Sequence, residues 1–230
     1  MNGLNGSVVD YYSSYWRRLE LRKQAGVARA RKLRWYPDAG LNGVEREIFR
    51  AIRHARRVLD FGAGDLTLKR KFRAAGFSGE YLTLDISPEH RHDFRDLSEV
   101  DSVVDAILCL EVIEHMDLAA FQPLMRRFSA LLAPGGQVVL STPNPACIIS
   151  MWAKDAGHIQ QYPLHDLVTH FVADGFSVSA YRVIYGPPVR SLHRAARYFA
   201  QRVLCNILAV DYAEGLMVIA RKGPADQPHD

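Results

Sequence analysis

The centre of the sequence holds side chains that could do acid–base or metal chemistry. Glu111, Glu114 and His115 fall in the run Glu111-Val112-Ile113-Glu114-His115, three and four positions apart. That spacing puts them on one face if the run opens a helix. Two carboxylates and an imidazole on one face can grip a divalent cation, orient a substrate hydroxyl or move a proton. His158, just after the next strand, is available as a further ligand or as a general base, since imidazole ordinarily titrates near neutrality. A second group surrounds Asp60-Phe61-Gly62-Ala63-Gly64-Asp65. Its glycines let a chain turn tightly and approach a ligand closely. Asp85 ends the following strand and is placed to accept hydrogen bonds from ribose hydroxyls. The loop lacks the third glycine of a dinucleotide fingerprint, and Asp60 and Asp65 would repel phosphate. A cationic, phosphate-free nucleoside suits it better.

These groups need a scaffold, and the hydrophobic rhythm supplies one. Apolar runs at 58–62, 80–86, 137–143, 177–186 and 216–222 read as strands, and 103–113 as a buried strand running into a helix start. Helical spacing at 41–56, 66–76, 118–136 and 164–176 fills most of the gaps, with Gly76 and Gly175 as stops. Alternation of this kind predicts an α/β fold with a doubly wound, mostly parallel sheet. Residues 1–40 read as an α-helical N-terminal extension or lid, 41–222 as the main domain and 223–230 as a frayed tail. Residues 187–210 read as a helical insertion before the last strand.

The 230 residues are 48% hydrophobic and 23% charged, which is ordinary globular usage and excludes bulk disorder and disulfide-rich scaffolds. The net charge of +4 is segregated. Residues 1–57 carry 13 basic against 5 acidic side chains, 58–181 carry 9 against 16, and 182–230 carry 7 against 4. Cys109, Cys147 and Cys205 lack metal-ligand spacing. With no signal-peptide pattern and no membrane-spanning apolar run, a cytoplasmic protein is the expectation.

The ordered pieces VLDFGAGDLT (58–67), LTLDIS (82–87), HDFRDL (92–97), VDAILCLEVIEHM (104–116) and LLAPGGQVVLSTPNP (131–145) resemble the class I S-adenosylmethionine-dependent methyltransferases. The resemblance implies a Rossmann-like sheet with an antiparallel last strand, S-adenosylmethionine as cofactor and S-adenosylhomocysteine as product. It implies that Asp60, Gly62 and Gly64 line the methionine and ribose part, and that Asp85 holds the ribose diol with Ile86 against adenine. Asp93 would accept the adenine amino group, with Phe94 on the ring face and Asp96 as the fallback. Leu110 and Glu111 would close the floor. Only residues 86–92 separate Asp85 from Asp93, so the family's intervening helix must be absent and its third strand short or missing. The EVIEH run is similar to a segment of ubiquinone-pathway O-methyltransferases and small-RNA 2′-O-methyltransferases, where a metal is thought to grip substrate hydroxyls. In other family members the same segment shapes a metal-free pocket. No metal is therefore assigned, and Glu111, Glu114, His115 and His158 are the set that would hold one.

Two flanks fall outside the resemblance. Tyr15, within the aromatic run 11–16, would lid the cofactor, since aromatic faces suit a sulfonium cation. In 190–210, Leu192, Ala196, Phe199, Val203 and Ile207 form an apolar stripe, with Arg190, Arg194 and Arg197 opposite. Such an insertion usually packs over a substrate pocket or makes a homodimer contact, and peripheral membrane contact is the alternative. The expected activity is methyl transfer to a small-molecule or glycan acceptor, at a hydroxyl oxygen, with His115 or His158 as base and Glu111 and Glu114 in support. Nucleic acid is not the expected partner. An RNA 2′-O-methyltransferase with a Glu/Glu/His/His metal site and a non-catalytic cofactor-binding module are the alternatives.

Overall fold

The computed structural model describes residues 40–147, 155–183, 191–207 and 213–223. Tyr15 and almost all of the N-terminal extension lie outside these residues, as does most of the tail. Helix α1 (Gly43–Ile52) starts at a capping box. The Asn42 side chain accepts from the Glu45 N–H, and the Glu45 carboxylate returns to the Asn42 N–H, which satisfies two amides that the first turn would leave open. Strand β1 (Arg57–Phe61), helix α2 (Thr67–Ala74), β2 (Glu80–Leu84) and β3 (Val104–Leu110) follow. Then come α3 (Leu118–Leu131), β4 (Leu132–Pro143), α4 (Leu164–Ala173), β5 (Phe176–Val183), α5 (Leu192–Ile207) and β6 (Gly215–Lys222).

The sheet runs β2-β1-β3-β4-β6-β5. Strands β2, β1, β3 and β4 pair in parallel, whereas β6 is antiparallel to both β4 and β5. This is the doubly wound Rossmann-like sheet with a reversed last strand that the sequence implies. Successive residues along each central strand feed opposite faces. Leu59, Ile107 and Val138 join Phe121 and Phe128 of α3 and Leu167 and Phe171 of α4 in one core. Val58, Leu108 and Val139 join Ile48 and Ile52 of α1 and Phe72 of α2 in the other. Phe72, Phe121 and Phe128 are fully buried, each stabilising the fold by roughly 1.5–3 kcal/mol.

Two local details bear on the site. Between β2 and β3 a third strand is reduced to a single parallel bridge, Leu84 to Phe94. The EVIEH run does not open a helix. Glu111 adopts φ +54°, which swings the chain out of β3, and Ile113–His115 forms one 3-10 turn. Helix α3 begins only at Leu118, where Asp117 accepts from the Ala120 N–H at 2.7 Å. The shared helical face expected for Glu111, Glu114 and His115 is thus replaced by a tight turn.

Candidate functional site

A cavity of about 600 Å³ opens at the carboxyl ends of β1, β2 and β3, where open α/β sheets bind ligands. Asp60, Gly62, Gly64, Asp85, Ile86, Leu110, Glu111 and His115 all line it. The first turn is built for close approach. Gly62 sits at φ +81° and Gly64 at φ +52°. A Cβ on Gly62 would fall 2.4 Å from Val112 Cγ2, so no larger residue fits there. The Gly62 and Ala63 amides donate to the Leu84 carbonyl at 2.8 and 3.1 Å, tying the turn to the end of β2.

Asp85 locks the same turn from its side chain. One carboxylate oxygen accepts from the Gly64 N–H and the other from the Ser87 N–H, each at 2.8 Å. The Arg95 guanidinium donates to the backbone carbonyls of Asp85, Ser87 and His90 and holds the loop from outside. Each Asp85 oxygen keeps a second lone pair for a ligand hydroxyl. Ile86, 43% exposed, presents an apolar surface beside it.

Asp60 is deeper. It accepts from the Tyr81 hydroxyl at 2.7 Å. Burial pushes its carboxyl up to about 7, opposed by the Tyr81 bond and reinforced by the charge of Asp85. Burial and Asp60 together push the Tyr81 phenol far up, which keeps it a donor.

Asp93, Phe94 and Asp96 do not line the cavity. The loop after Asp85 is too short for a strand, so the chain doubles straight back on β2. There the Asp93 carboxylate accepts from both the N–H and the hydroxyl of Thr83, each at 2.8 Å, and from Lys69 at 3.5 Å. Phe94 packs against the core beneath the sheet. Asp96 caps the turn Leu97–Glu99 through the Ser98 N–H. Conversely, Glu45, Val112, Met116 and Ile159 line the cavity although no motif singles them out. Val112 could have been found only through its fit against Gly62, and Ile159 only through its place beside His158.

A second cluster borders the cavity. The backbone carbonyl of Glu114 accepts from the amides of Ile159 and Gln160 at 2.9 and 3.2 Å, drawing that segment across the 3-10 turn. His115 Nδ1 lies 2.8 Å from the Gly157 carbonyl. A carbonyl only accepts, so the neutral ring carries its proton on Nδ1, and Nε2 is its basic nitrogen. The His115 and His158 rings meet edge to face, 4.9 Å between centroids. Glu114 is 2% exposed. Its Oε2 accepts from the Thr142 hydroxyl at 3.1 Å, and among the described residues its Oε1 has no hydrogen-bond partner. Burial, with the charge of Glu111 added, pushes Glu114 up to about 9.

Of the four residues that would hold a metal, three come together. One ligand atom from each of Glu114, His115 and His158 lies within 4.8 Å of the others. Glu111 is outside that group, its Oε1 accepting from the Ser141 hydroxyl at 2.7 Å on the cavity wall. The arrangement can relay a proton through imidazole or hold a small cation.

The model of the methyltransferase domain family matches residues 15–181. No curated protein matches the sequence. Among solved structures, the chain is similar to an S-adenosylmethionine-dependent methyltransferase from Archaeoglobus fulgidus. The TM-score is 0.60 at 17% identity, covering 78% of this chain and 93% of that one. It is also similar to the N-methyltransferase NodS from Bradyrhizobium japonicum, with a TM-score of 0.51 at 13% identity over 78% of this chain and 94% of that one. The plantazolicin methyltransferase BpumL, solved with S-adenosylhomocysteine, gives 0.52 at 11% identity over 78% and 81%. At these identities the likeness is one of fold.

Proposed function

Because this chain belongs to the methyltransferase domain family and is a class I S-adenosylmethionine-dependent methyltransferase, we propose that it methylates a hydroxyl oxygen of a small-molecule or glycan acceptor, with His115 as base. The observation that carries this reading is the hydrogen bond from His115 Nδ1 to the Gly157 carbonyl. It fixes the ring and makes Nε2 the proton acceptor on a residue that lines the cavity.

The cavity fits the cofactor. Gly62 lets the turn close tightly against Val112, and the carboxyl groups of Asp60 and Asp85 suit a cationic nucleoside without phosphates. When bound, S-adenosylmethionine supplies an electrophilic methyl on a cationic sulfur. Asp85 accepts hydrogen bonds from the ribose hydroxyls, and Ile86 covers a face of the base. Asp60 and the glycine turn flank the methionine portion. His115 takes the hydroxyl proton onto Nε2, and Gly157 holds the ring as it becomes charged. His158, packed on the ring edge, keeps His115 in place. Alignment and deprotonation are most of what an in-line transfer asks of the protein.

A divalent cation at Glu114, His115 and His158 is a second reading, favoured by their convergence and by Glu114 Oε1, which has no hydrogen-bond partner among the described residues. In that reading the Gly157 carbonyl is the outer partner orienting a ligating His115, a common arrangement for metal-bound histidines.

Calorimetric titration with S-adenosylmethionine and S-adenosylhomocysteine is the first test, followed by a radiolabelled transfer screen over hydroxyl, amine and carboxyl acceptors. Transfer to amines alone would overturn the oxygen assignment. Turnover that chelators abolish while cofactor binding persists would replace the metal-free reading by the second one.

A further inference from the structure

Helix α5 is inserted between β5 and β6 at the end of the sheet that carries the cavity. Strand β5 finishes at Val183 and β6 starts at Gly215, and these two pair with each other. Gly215 also pairs with Pro143, the carboxyl end of β4. The insertion therefore leaves and re-enters the sheet at its carboxyl end. Arg197 of α5 pairs with Glu214 at 3.3 Å, which turns that side of the helix toward the body.

Most of the apolar stripe faces the other way, Val203 alone being half-buried. Leu192 is 90% exposed, Phe199 68% and Ile207 73%. Ala196, between them on the same stripe, is exposed as well. A row of large apolar side chains along a 16-residue helix is costly to leave in water, and scattered surface leucines do not explain it. The charge of the segment is one-sided. Residues 190–210 contain Arg190, Arg194, Arg197 and Arg202, and no Asp or Glu. An exposed apolar face on a segment whose only charges are positive is complementary to an anionic lipid surface: the apolar side chains enter the acyl boundary, and the net positive charge of the segment draws it to the surface. Among the described residues no helix is long and apolar enough to cross a membrane, so such a helix would lie in the interface plane.

We propose that α5 seats the protein on an anionic lipid surface, with the cavity end of the sheet turned toward it. This inference stands whether or not His115 is the base. At the cavity itself Ile159, 62% exposed, adds an apolar side chain to the lining.

The test is co-sedimentation of the full chain with vesicles of phosphatidylcholine alone and with about 30 mol% phosphatidylglycerol. The expected result is partitioning at least about tenfold stronger on the anionic vesicles, weakened by about 0.5 M salt. Phe199→Glu and Leu192→Glu should each abolish it while melting temperature and S-adenosylhomocysteine affinity stay unchanged. Equal partitioning on both vesicle types, or no partitioning, would overturn the proposal. So would a dimer in light scattering that Phe199→Glu splits, which would make the stripe a contact between copies. A fall in melting temperature with Phe199→Glu, without vesicle binding, would overturn it in favour of cover by the chain's own residues 1–39.

Discussion

Asp85 and Glu114 are both buried carboxyl groups just beyond the carboxyl ends of strands, Asp85 after β2 and Glu114 after β3, and the fold treats them in opposite ways. Asp85 receives a backbone N–H on each oxygen. Glu114 receives one side-chain hydroxyl on one oxygen, and its other oxygen has no partner among the described residues. The first group is finished by its own backbone and offers its remaining lone pairs outward. The second is left with one oxygen open among the described residues, which a proton would satisfy and a cation would compete for. The difference separates a fixed cradle from a site whose chemistry depends on what joins it.

The largest effect tests the unfinished side. His115→Ala is expected to lower kcat by about 10²- to 10⁴-fold, the usual worth of a positioned base. S-adenosylhomocysteine affinity by calorimetry should change little. A parallel fall in both would make His115 a cofactor-binding residue.

On the finished side, Asp85→Ala leaves the Gly64 and Ser87 amides without partners, at about 1–3 kcal/mol each. Cofactor affinity should weaken by at least about 100-fold. Weakening no greater than in Asp93→Ala would erase the distinction drawn for Asp85.

Asp60 sharpens the contrast through stability. Its folded pKa, about 7, is raised above the ordinary 3.8. Between those values the unfolded chain has released the proton and the folded chain has kept it. Stability therefore falls as pH rises through the window and levels off above about 7. Asp60→Asn, which can still accept from Tyr81, should remove that slope. Relative to wild type it should gain roughly 1–3 kcal/mol between pH 4 and pH 8 in denaturant titrations, while cofactor affinity drops.

The smallest effect is the most discriminating. Glu114→Gln is nearly isosteric with the neutral acid that burial favours. Turnover should stay within about threefold of wild type, and chelators should not change it. A large loss, or chelator sensitivity, would move Glu114 from a neutral buried group to a cation ligand.

These contrasts were unevenly legible in the sequence. The glycine turn and Asp85 could be read because they depend on local rules: glycine where φ is positive, and an acid ending the next strand. The doubly wound sheet could be read because its apolar runs alternate with helical spacing. Asp93 could not be placed by motif order, because the short loop after Asp85 redirects its carboxylate onto Thr83. Nor could the turn at Ile113–His115 be told from a helix start by spacing, since the departure depends on the left-handed backbone of Glu111. For α5 the periodicity is plain in the sequence. Which face turns outward is marked by the Arg197–Glu214 pair, made with a residue outside the helix, and no local pattern reports that.

The lost third strand has a consequence for solubility. It leaves β2 at the border of the sheet, where an unpaired row of amides and carbonyls is a template for a neighbouring molecule. The returning loop closes much of that row. Asp93 and Phe94 amides both donate to the Thr83 carbonyl at 3.0 Å, and the Asp93 carboxylate takes the Thr83 N–H. The charged side chain that family order assigns to ligand recognition serves here as a cover for the edge, occupying groups that a neighbouring strand would otherwise pair with.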